Sequence, residues 1–335
     1  MYVKLKCLFT ITTQGGKTIK FTAVNAVEIE KSIDKIGSTA KIKIPTSARL
    51  IYKDNTRTDS VQVAKYFNKG DKINIQLGYD DRMNEEFEGF ISNLNLTTPL
   101  EIECSGYEYL LRDNIPTKTF ADTNLMDLLC YITELEGNDT IILDADIPAV
   151  EMKNYVIPAN LTRFAALQQI KERYGLTLYF LKNTLYAGLD FIKYQGNVKY
   201  SLGYNTPKAD ELKYQIADDV KLKIKATQIN KDNTRFETET GDATGEQRTL
   251  FFYTAKTKED LVKLAEAEIK KYKFDGYVGK ITTLLEPFAM PGMTAEIISE
   301  KYEERAGKYE IRAVVTSFST SGAKRSVEIG KTVSV

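Results

Sequence analysis

An enzyme built from this sequence would have to use carboxylates, lysine, tyrosine or cysteine for catalysis. The chain has 335 residues and no histidine, which is the usual general base near neutral pH and the commonest metal ligand. Ser-His-Asp and Cys-His catalysis and histidine-ligated zinc therefore cannot be built from it. Its three cysteines, Cys7, Cys104 and Cys130, are widely spaced without a CxxC motif. We expect these cysteines to act as small buried apolar side chains.

Two sets of acidic residues are close enough in sequence for carboxylate chemistry. They are Asp80, Asp81, Glu85 and Glu86 in the first set, and Asp144 and Asp146 in the second. A glycosidase needs two carboxyl groups across a cleft, so a cell-wall hydrolase is one alternative for this chain. Both sets lie in predicted turns, where solvated charge is the norm. We therefore expect no catalytic residues and no enzyme.

Binding-site alternatives come from oxygen-rich turns and from the aromatic content. LDADIP at 143–148 and KDNTRTD at 53–59 carry oxygens that suit calcium, but neither has the EF-hand spacing, and turn chemistry explains both. Twenty tyrosines could stack on sugars, so a secreted or surface carbohydrate-binding β module is a second alternative. Most of these tyrosines lie in strand patterns, where tyrosine is common. We expect no metal and no cofactor.

The charge balance bears on the class of partner. The sequence has 46 basic and 46 acidic residues and no visible basic cluster, so we expect no nucleic-acid specificity. No apolar run approaches the roughly 18 residues of a spanning helix, and we expect no membrane insertion. The first residues, MYVKLKCLFTIT, alternate like a strand and lack the apolar core of a signal peptide.

Residues 1–112 alternate with the period of two that is typical of β-strands. The segment FEGFISNLNLTTPLEIEC, at 87–104, predicts two antiparallel strands joined by a Thr-Thr-Pro turn. Phe90, Leu94 and Leu96 share one parity in it, and we expect them on one buried face. VQVAKYF at 61–67 predicts a short helix. Several short strands separated by turns predict a first β-barrel domain over 1–112.

Residues 113–192 predict a small α+β module of two helices and a hairpin, because leucines there recur at helical spacing. The predicted boundaries are Asp122 or Thr123 to Gly137 for the first helix, Asn160 to Gly175 for the second, and Lys182-Asn183 for the hairpin turn. Residues 193–335 return to strand alternation, with one helix at about 257–273 whose Thr257 and Asp260 have capping-box spacing. We predict a second β-barrel domain over 193–335. The expected fold class is α+β, mainly β, with two tube-like β-barrel domains flanking a small α/β insertion.

A repeat relates the two β regions. Gly70 precedes the strand DKINIQLGY, and Gly292 precedes MTAEIISEKY. Each strand ends in tyrosine and runs into an acidic turn that contains arginine, DDRMNEE at 80–86 and EERAG at 303–307. A strand, a polar turn and a last strand follow in both regions. We interpret this as two related β domains; the alternative is that any two β-meanders share such an order.

These segments, in this order, resemble the phage baseplate hub family, which includes late control protein D and the N-terminal part of VgrG spike proteins. The resemblance covers nearly the whole chain. The segments that carry it are KGDKINIQLGY, FEGFISNLNL, PLEIECSGYEYLLRDN, TKTFADTNLMDLLCYITELEG, NLTRFAALQQIKERYGLTLYFLKNTLYAG and PGMTAEI with the closing strands to SVEIGK.

The resemblance implies a structural protein and not an enzyme. It implies a homotrimer whose six similar barrels form a pseudo-sixfold ring, which adapts a sixfold tail tube to a threefold central spike. The implied partners are further copies of the chain, the tail tube protein, the central spike protein, the tape measure protein and other baseplate proteins. The chain would be made in the bacterial cytoplasm and assembled into a virion baseplate, a tailocin or a related injection particle. Residue 335 closely follows the last predicted strand, so we expect a separate spike protein to supply the tip.

Overall fold

The structure is a computed structural model that describes residues 4–51, 57–135, 140–148, 150–188, 193–206, 211–230, 234–252, 255 and 257–333. Strands account for 52% of the described residues and helices of all types, including 3₁₀ turns, for 17%. These ranges contain three α-helices. The prediction of an α+β, mainly β fold is confirmed. The helix expected to end at Gly137 has its predicted end outside the described residues.

The described residues of the first segment form nine strands. They are β1 (Leu5–Thr12), β2 (Thr18–Phe21), β3 (Ala26–Ser32), β4 (Thr39–Ile44), β5 (Ser47–Ile51), β6 (Arg57–Gln62), β7 (Lys72–Tyr79), β8 (Arg82–Asn95) and β9 (Leu100–Ser105). Period-two alternation buries one face: Phe9, Ile42 and Ile75 are all fully buried, and such burial is the main stabilising term. The predicted short helix is a 3₁₀ turn at Val63–Tyr66.

The middle segment contains two helices and two small sheets. Its elements are β10 (Lys118–Asn124), α1 (Leu125–Thr133), β11 (Ile142–Leu143), β12 (Glu151–Ile157), α2 (Arg163–Tyr174), β13 (Thr177–Leu181) and β14 (Thr184–Gly188). β10 pairs with β12, and β14 lies between β11 and β13. The leucine stripes of both helices enter one core with residues of these strands. The hairpin turn lies at Lys182-Asn183, as predicted.

The last segment contains more structure than the sequence predicted. Its elements are β15 (Asn197–Leu202), β16 (Leu212–Gln215), β17 (Leu222–Ile229), β18 (Arg235–Gly241), β19 (Glu246–Phe252), α3 (Lys258–Tyr272), β20 (Gly276–Thr283), β21 (Thr294–Ser299), β22 (Gly307–Ser319) and β23 (Gly322–Thr332). β17, β18 and β19 form a separate sheet. That sheet and α3 share a core of their own, in which Ile224 and Leu261 are fully buried.

The helix ends show which capping predictions were right. Thr257 and Asp260 form the predicted capping box of α3, and Gly175, with a left-handed backbone (φ 59°), ends α2 as predicted. The cap of α1 is Asn124, whose side chain accepts a hydrogen bond from the Asp127 N–H. The prediction of Asp122 or Thr123 was wrong, because β10 extends to Asn124 and the helix begins only at Leu125. The cap of α2 is Thr162, two residues after the predicted start.

A thirteen-stranded sheet contains the same arrangement twice. In the first half of the chain, neighbouring strands follow the order β3-β4-β9-β8-β7-β1, and in the second half the order β16-β20-β23-β22-β21-β15. Numbered by position along each half, both orders read 2-3-6-5-4-1. One strand differs in direction: β1 is antiparallel to β7, whereas β15 is parallel to β21. The two halves are joined because β22 also pairs with β3.

The repeat extends to individual hydrogen bonds around two glycines. The Gly70 N–H donates to the Ile91 carbonyl (2.9 Å), and the Ile91 N–H donates to the Asp71 carbonyl (2.9 Å). In the second half, the Gly292 N–H donates to the Ile311 carbonyl (3.0 Å), and the Ile311 N–H donates to the Met293 carbonyl (2.9 Å). Gly70 and Gly292 have φ of 90° and 88°, a left-handed conformation that favours glycine.

We expect Gly292→Ala to destabilise the protein by about 1–3 kcal/mol, because a side chain at this φ is strained. A Cβ there would also lie 2.6 Å from the Lys193 carbonyl oxygen. Gly203→Ala is the matched control, since Gly203 has φ 86° and nothing within 4 Å of an added Cβ. Urea unfolding of the two variants separates strain from collision. Equal losses would contradict a collision at Gly292.

Candidate assembly interface

The two halves meet where β22 pairs with β3. Their antiparallel register runs from Ala313 opposite Ser32 to Ser319 opposite Ala26. β22 has 13 residues and β21 has only six, so the C-terminal part of β22 extends beyond β21 and offers its edge to β3. The local register of β22 shifts between Ile311 and Ala313, where this extension begins.

A buried ion pair crosses this junction. Glu86 of β8 and Arg325 of β23 are 2% and 0% exposed, and their oxygen and nitrogen atoms are 2.6 Å apart. Arg325 also donates to the Ala289 carbonyl (2.9 Å), and the Thr316 hydroxyl donates to Glu86 (3.4 Å). The Arg325 guanidinium lies 4.8 Å from the centre of the Phe288 ring. A buried charge is stable only when it is paired and hydrogen-bonded, so these contacts hold the halves in one relative position.

A cavity of about 280 Å³ lies beside the ion pair and is lined by all three segments of the chain. Lys31 of β3, Phe180 of β13 and Phe288 are among its lining residues. Burial lowers the pKa of the Lys31 ammonium, and the nearby Glu86 carboxylate opposes this shift. The cavity is therefore a pocket at the junction that residues of all three segments line together.

Exposed contacts also tie the middle segment to this junction. Arg312 of β22 is ion-paired with Asp34, which follows β3, and the Lys171 ammonium of α2 donates to the Asp34 carbonyl. The Phe180 N–H donates to the Ile36 carbonyl (3.0 Å). The loop after β3 is therefore held by both α2 and β22.

Removing one member of the buried pair should cost more than removing an exposed pair. We expect Arg325→Met to lower the free energy of unfolding by about 3–5 kcal/mol, because Glu86 then stays buried without a cation. The double variant Glu86→Gln/Arg325→Met should recover part of that loss. Lys6→Met, which breaks the exposed contact with Asp81, should cost at most about 1 kcal/mol. Urea unfolding measures all three; equal losses for Arg325→Met and Lys6→Met would contradict the role of the pair.

The first acidic set does not form one cluster of free carboxylates. Asp80 and Asp81 form the turn between β7 and β8, and the Asp81 carboxylate lies 3.2 Å from the Lys6 ammonium. Glu85 lies 2.7 Å from the Lys182 ammonium. Glu86 is the buried partner of Arg325. Each of these side chains has a structural role, either in a turn or in an ion pair.

The second acidic set shares one lysine. The Lys193 ammonium lies 3.5 Å from Asp144 and is also ion-paired with Asp146. The Asp146 N–H donates to the Asp144 carboxylate (3.2 Å), which is turn chemistry. Within the described ranges, no group of three or more Cys, Asp or Glu side chains could hold a metal ion. The other calcium alternative, KDNTRTD, begins outside the described residues.

One titratable group is strongly perturbed where β9 leads into the middle segment. Glu108 is buried, and it accepts a hydrogen bond from the Gly106 N–H (2.9 Å). Burial raises the pKa of this carboxyl to about 7. Gly37 packs directly against it, since a Cβ at Gly37 would lie 2.0 Å from the carboxyl carbon. The absence of a side chain at Gly37 therefore makes room for Glu108.

The Glu108 shift predicts a pH dependence of stability. The folded state holds this proton up to about pH 7, and the unfolded chain releases it near pH 4.5, so stability falls as pH rises between these values. This titration should lower the free energy of unfolding by up to about 3 kcal/mol over that range, and Glu108→Gln should abolish the decrease. Urea unfolding of both proteins at pH 5 and pH 8 measures this difference. A pH-independent difference between them would contradict the shift.

Sequence reasoning missed the buried arginine, although a signal was present. Ala323, Arg325, Val327 and Ile329 share one parity, and all four are buried. An arginine among three apolar residues on the inward parity indicates a buried ion pair, because an unpaired charge there would be too costly. Its partner Glu86 was predicted only as a turn residue, and it lies inside β8.

The exposed fraction of one leucine contradicts the expected hairpin face. Phe90 is buried in the core of the middle segment, whereas Leu94 packs partly against the core of the first half. The register shift between Ile91 and Asn93 separates the two side chains, so the prediction that they share one face was wrong. Leu96 is 78% exposed, so its prediction as part of a buried face was wrong for the single chain. It lies just after the last residue of β8, beyond the region that β7 covers. Within the described ranges, no helix is both long and apolar enough to cross a membrane.

No family model and no curated protein matches the chain, whereas solved structures share its fold. A tail protein from Neisseria meningitidis MC58 is similar with a TM-score of 0.59 at 13% identity, over 97% of this chain and 96% of that chain. The 43 kDa tail protein of prophage MuSo2 from Shewanella oneidensis has a TM-score of 0.61 at 13% identity, over 97% and 98%.

A chain of the Francisella PdpA-VgrG complex is also similar. Its TM-score is 0.54 at 12% identity, over 99% of this chain and 53% of that chain. The chain therefore has a fold that occurs in phage and prophage tail proteins and in a VgrG complex. The resemblance predicted from the sequence is confirmed at the level of the fold.

Proposed function

We propose that the protein is a structural hub at the baseplate end of a contractile phage tail or a related injection machine. One observation carries the proposal: the chain contains the same six-strand arrangement twice, in the orders β3-β4-β9-β8-β7-β1 and β16-β20-β23-β22-β21-β15. Three such chains present six similar units. A homotrimer would thereby form a pseudo-sixfold ring that fits a sixfold tail tube on one face and a threefold spike on the other.

The fold neighbours support this role, because two of them are tail proteins that match along nearly their whole length. The corresponding partners are the tail tube protein, the central spike protein, the tape measure protein and other baseplate proteins. Assembly into a virion tail or equivalent particle follows from the same proposal. The domain division that we propose for it is 1–112, 113–192 and 193–335.

A structural role also agrees with the state of the carboxylates. The candidate residues Glu85, Glu86, Asp144 and Asp146 each have a cationic partner. A general acid or nucleophile has to meet a substrate, and these carboxylates are already held by lysine or arginine. We propose that the protein is not an enzyme.

The homotrimer is tested by the absolute mass of the purified chain. Light scattering after gel filtration should give three times the chain mass of 37.9 kDa, and negative-stain images should show a ring with six similar lobes. The same measurement on the chain mixed with a purified tail tube protein should give a heavier species. A species of one chain mass in both samples would contradict the hub, and glycan binding by that species would favour the carbohydrate-binding alternative.

A further inference from the structure

The repeated arrangement assigns each strand of one half to a strand of the other. β8 corresponds to β22, and the local register shift between Ile91 and Asn93 has its equivalent between Ile311 and Ala313. The matching hydrogen bonds of Gly70 and Gly292 show that Ile91 and Ile311 are equivalent positions in the two halves. Asn93 therefore corresponds to Ala313.

The partner of this part of β22 can be placed in the same way. β9 corresponds to β23, because Cys104 is opposite Ile91 and Ile329 is opposite Ile311. Cys104 is also opposite Ala40 of β4, and Ile329 is opposite Gly279 of β20. β4 thus corresponds to β20, and Ala40 is equivalent to Gly279.

The same step identifies the counterpart of β3. Ala40 is opposite Ile29 of β3, and Gly279 is opposite Leu212 of β16. β16 is therefore the counterpart of β3, with Leu212 at the position of Ile29. Counting along the two strands places Gln215 at the position of Ser32.

The two halves differ in how these edges are used. In the first chain half, β3 gives one edge to β4 and the other to β22. β16 pairs with β20 and ends the strand order of the sheet. β22 gives one edge to β21 and then to β3, whereas the corresponding edge of β8 pairs with β7 only as far as Phe90. Among the described residues, the edge of 93–96 beyond β7 has no strand partner.

The register of the β3–β22 pair predicts how the free edge of β16 would pair with the free edge of residues 93–96. Ala313 is opposite Ser32 and Thr316 is opposite Ile29. The corresponding register places Asn93 opposite Gln215 and Leu96 opposite Leu212. The pairs between them are Leu94 with Tyr214 and Asn95 with Lys213.

Side-chain chemistry agrees with this register. In this register Leu94 and Leu96 lie on the same face as Tyr214 and Leu212. Leu94 already packs against the core of the first half, and Leu212 and Tyr214 pack against the core of the second half. A slip by one residue would place Leu96 opposite Lys213 and move each apolar side chain to the other face. Leu96, at 78% exposed, is the side chain that this pairing would cover.

The opposite face is polar. Asn95 donates to Glu101 (3.3 Å) and to Glu103 (3.0 Å). In the transferred register, Lys213 lies opposite Asn95 on this face. Glu101 is already ion-paired with Lys41 and Lys43, so the contact keeps charged and polar side chains together.

We propose that β16 of one copy pairs antiparallel with residues 93–96, at the C-terminal end of β8, in a second copy, with Leu212 opposite Leu96. The pairing rests on the hub proposal and states how its copies join. It is a head-to-tail contact of unlike surfaces, so repetition closes a ring when the rotation allows. It also covers two strand edges that would otherwise template aggregation. Each copy would contact the next through the same kind of junction that joins its own halves.

Disulfide trapping tests the register. Opposite residues of an antiparallel pair have Cβ atoms roughly 4.5–5.5 Å apart, close enough for cysteines to react. The variant Leu96→Cys/Leu212→Cys is made in a Cys130→Ser background, because Cys130 is exposed while Cys7 and Cys104 are buried. Oxidised glutathione should convert it into covalent species of two and three chains on a non-reducing gel.

The matched control is Leu96→Cys/Lys213→Cys, which places the cysteines in the slipped register and on opposite faces. It should cross-link at least tenfold more slowly. The single variants Leu96→Cys and Leu212→Cys should form disulfide-linked species of two chains, and none of three, when the two proteins are mixed. Each variant by itself should form almost no disulfide-linked species. Reducing agent should return every sample to single chains.

A non-covalent variant supplies an independent readout. Leu96→Glu should weaken association at least tenfold by light scattering across a dilution series, because it buries a carboxylate in the contact. Val156→Glu is the control, since Val156 is also exposed (52%) and lies in β12, away from both edges. Unchanged circular dichroism would show that both variants fold.

The outcomes separate this inference from the hub proposal. A trimer that cross-links through residues 96 and 212, and not through 96 and 213, supports both. A trimer that fails to cross-link at 96 and 212, or cross-links equally at 96 and 213, overturns the strand pairing and leaves the hub proposal standing. A single-chain species without cross-links overturns both.

Discussion

The antiparallel pairing of β3 with β22 is the contact on which the rest of the structure depends. It joins residues 26–32 to residues 313–319, so a very long loop is closed at a considerable entropic cost. The Glu86–Arg325 pair, the neighbouring cavity and the contacts of Asp34 all lie at this junction. Phe318 of β22 also enters the core of the first half. Without the pairing, Arg325 would be a charged residue on an inward face with no partner.

The repeated strand order explains why one chain can offer two similar units without being symmetric. The orders are identical, but β1 is antiparallel to β7 while β15 is parallel to β21. The chain therefore enters the second unit in the reverse direction, after the middle segment. Further residues, β17 to α3, are placed between β16 and β20 of the second unit and form their own core. The strand order is the same in both units, whereas the connections between the strands differ.

The charged side chains mainly serve turns and ion pairs. Basic and acidic residues are equal in number, and the candidate carboxylates are used in turns and ion pairs. Most exposed ion pairs contribute little to stability, whereas the buried Glu86–Arg325 pair fixes the position of one half on the other. These polar groups therefore set the geometry of the junction.

Period-two alternation and capping residues, read in the sequence alone, determined the local elements. They predicted the strands on either side of the turn at Thr98-Pro99, the capping box at Thr257 and the end of α2 at Gly175. They also related Gly70 to Gly292, whose hydrogen bonds match. These features depend on contacts within a few residues or within one hairpin, so the local sequence is sufficient to specify them.

Only the tertiary structure decided which distant strands pair. Alternation indicates that one face of β3 is buried, but it contains no information that β22 will cover its edge. The cap at Asn124 depended on the pairing of β10 with β12, and the β17–β19 sheet depended on the docking of α3. Leu96 has the parity of a buried residue and yet is exposed in the single chain, because parity gives the face of a side chain and not the length of the neighbouring strand. Burial is a property of the whole assembly of strands, and a sequence pattern describes only one strand at a time.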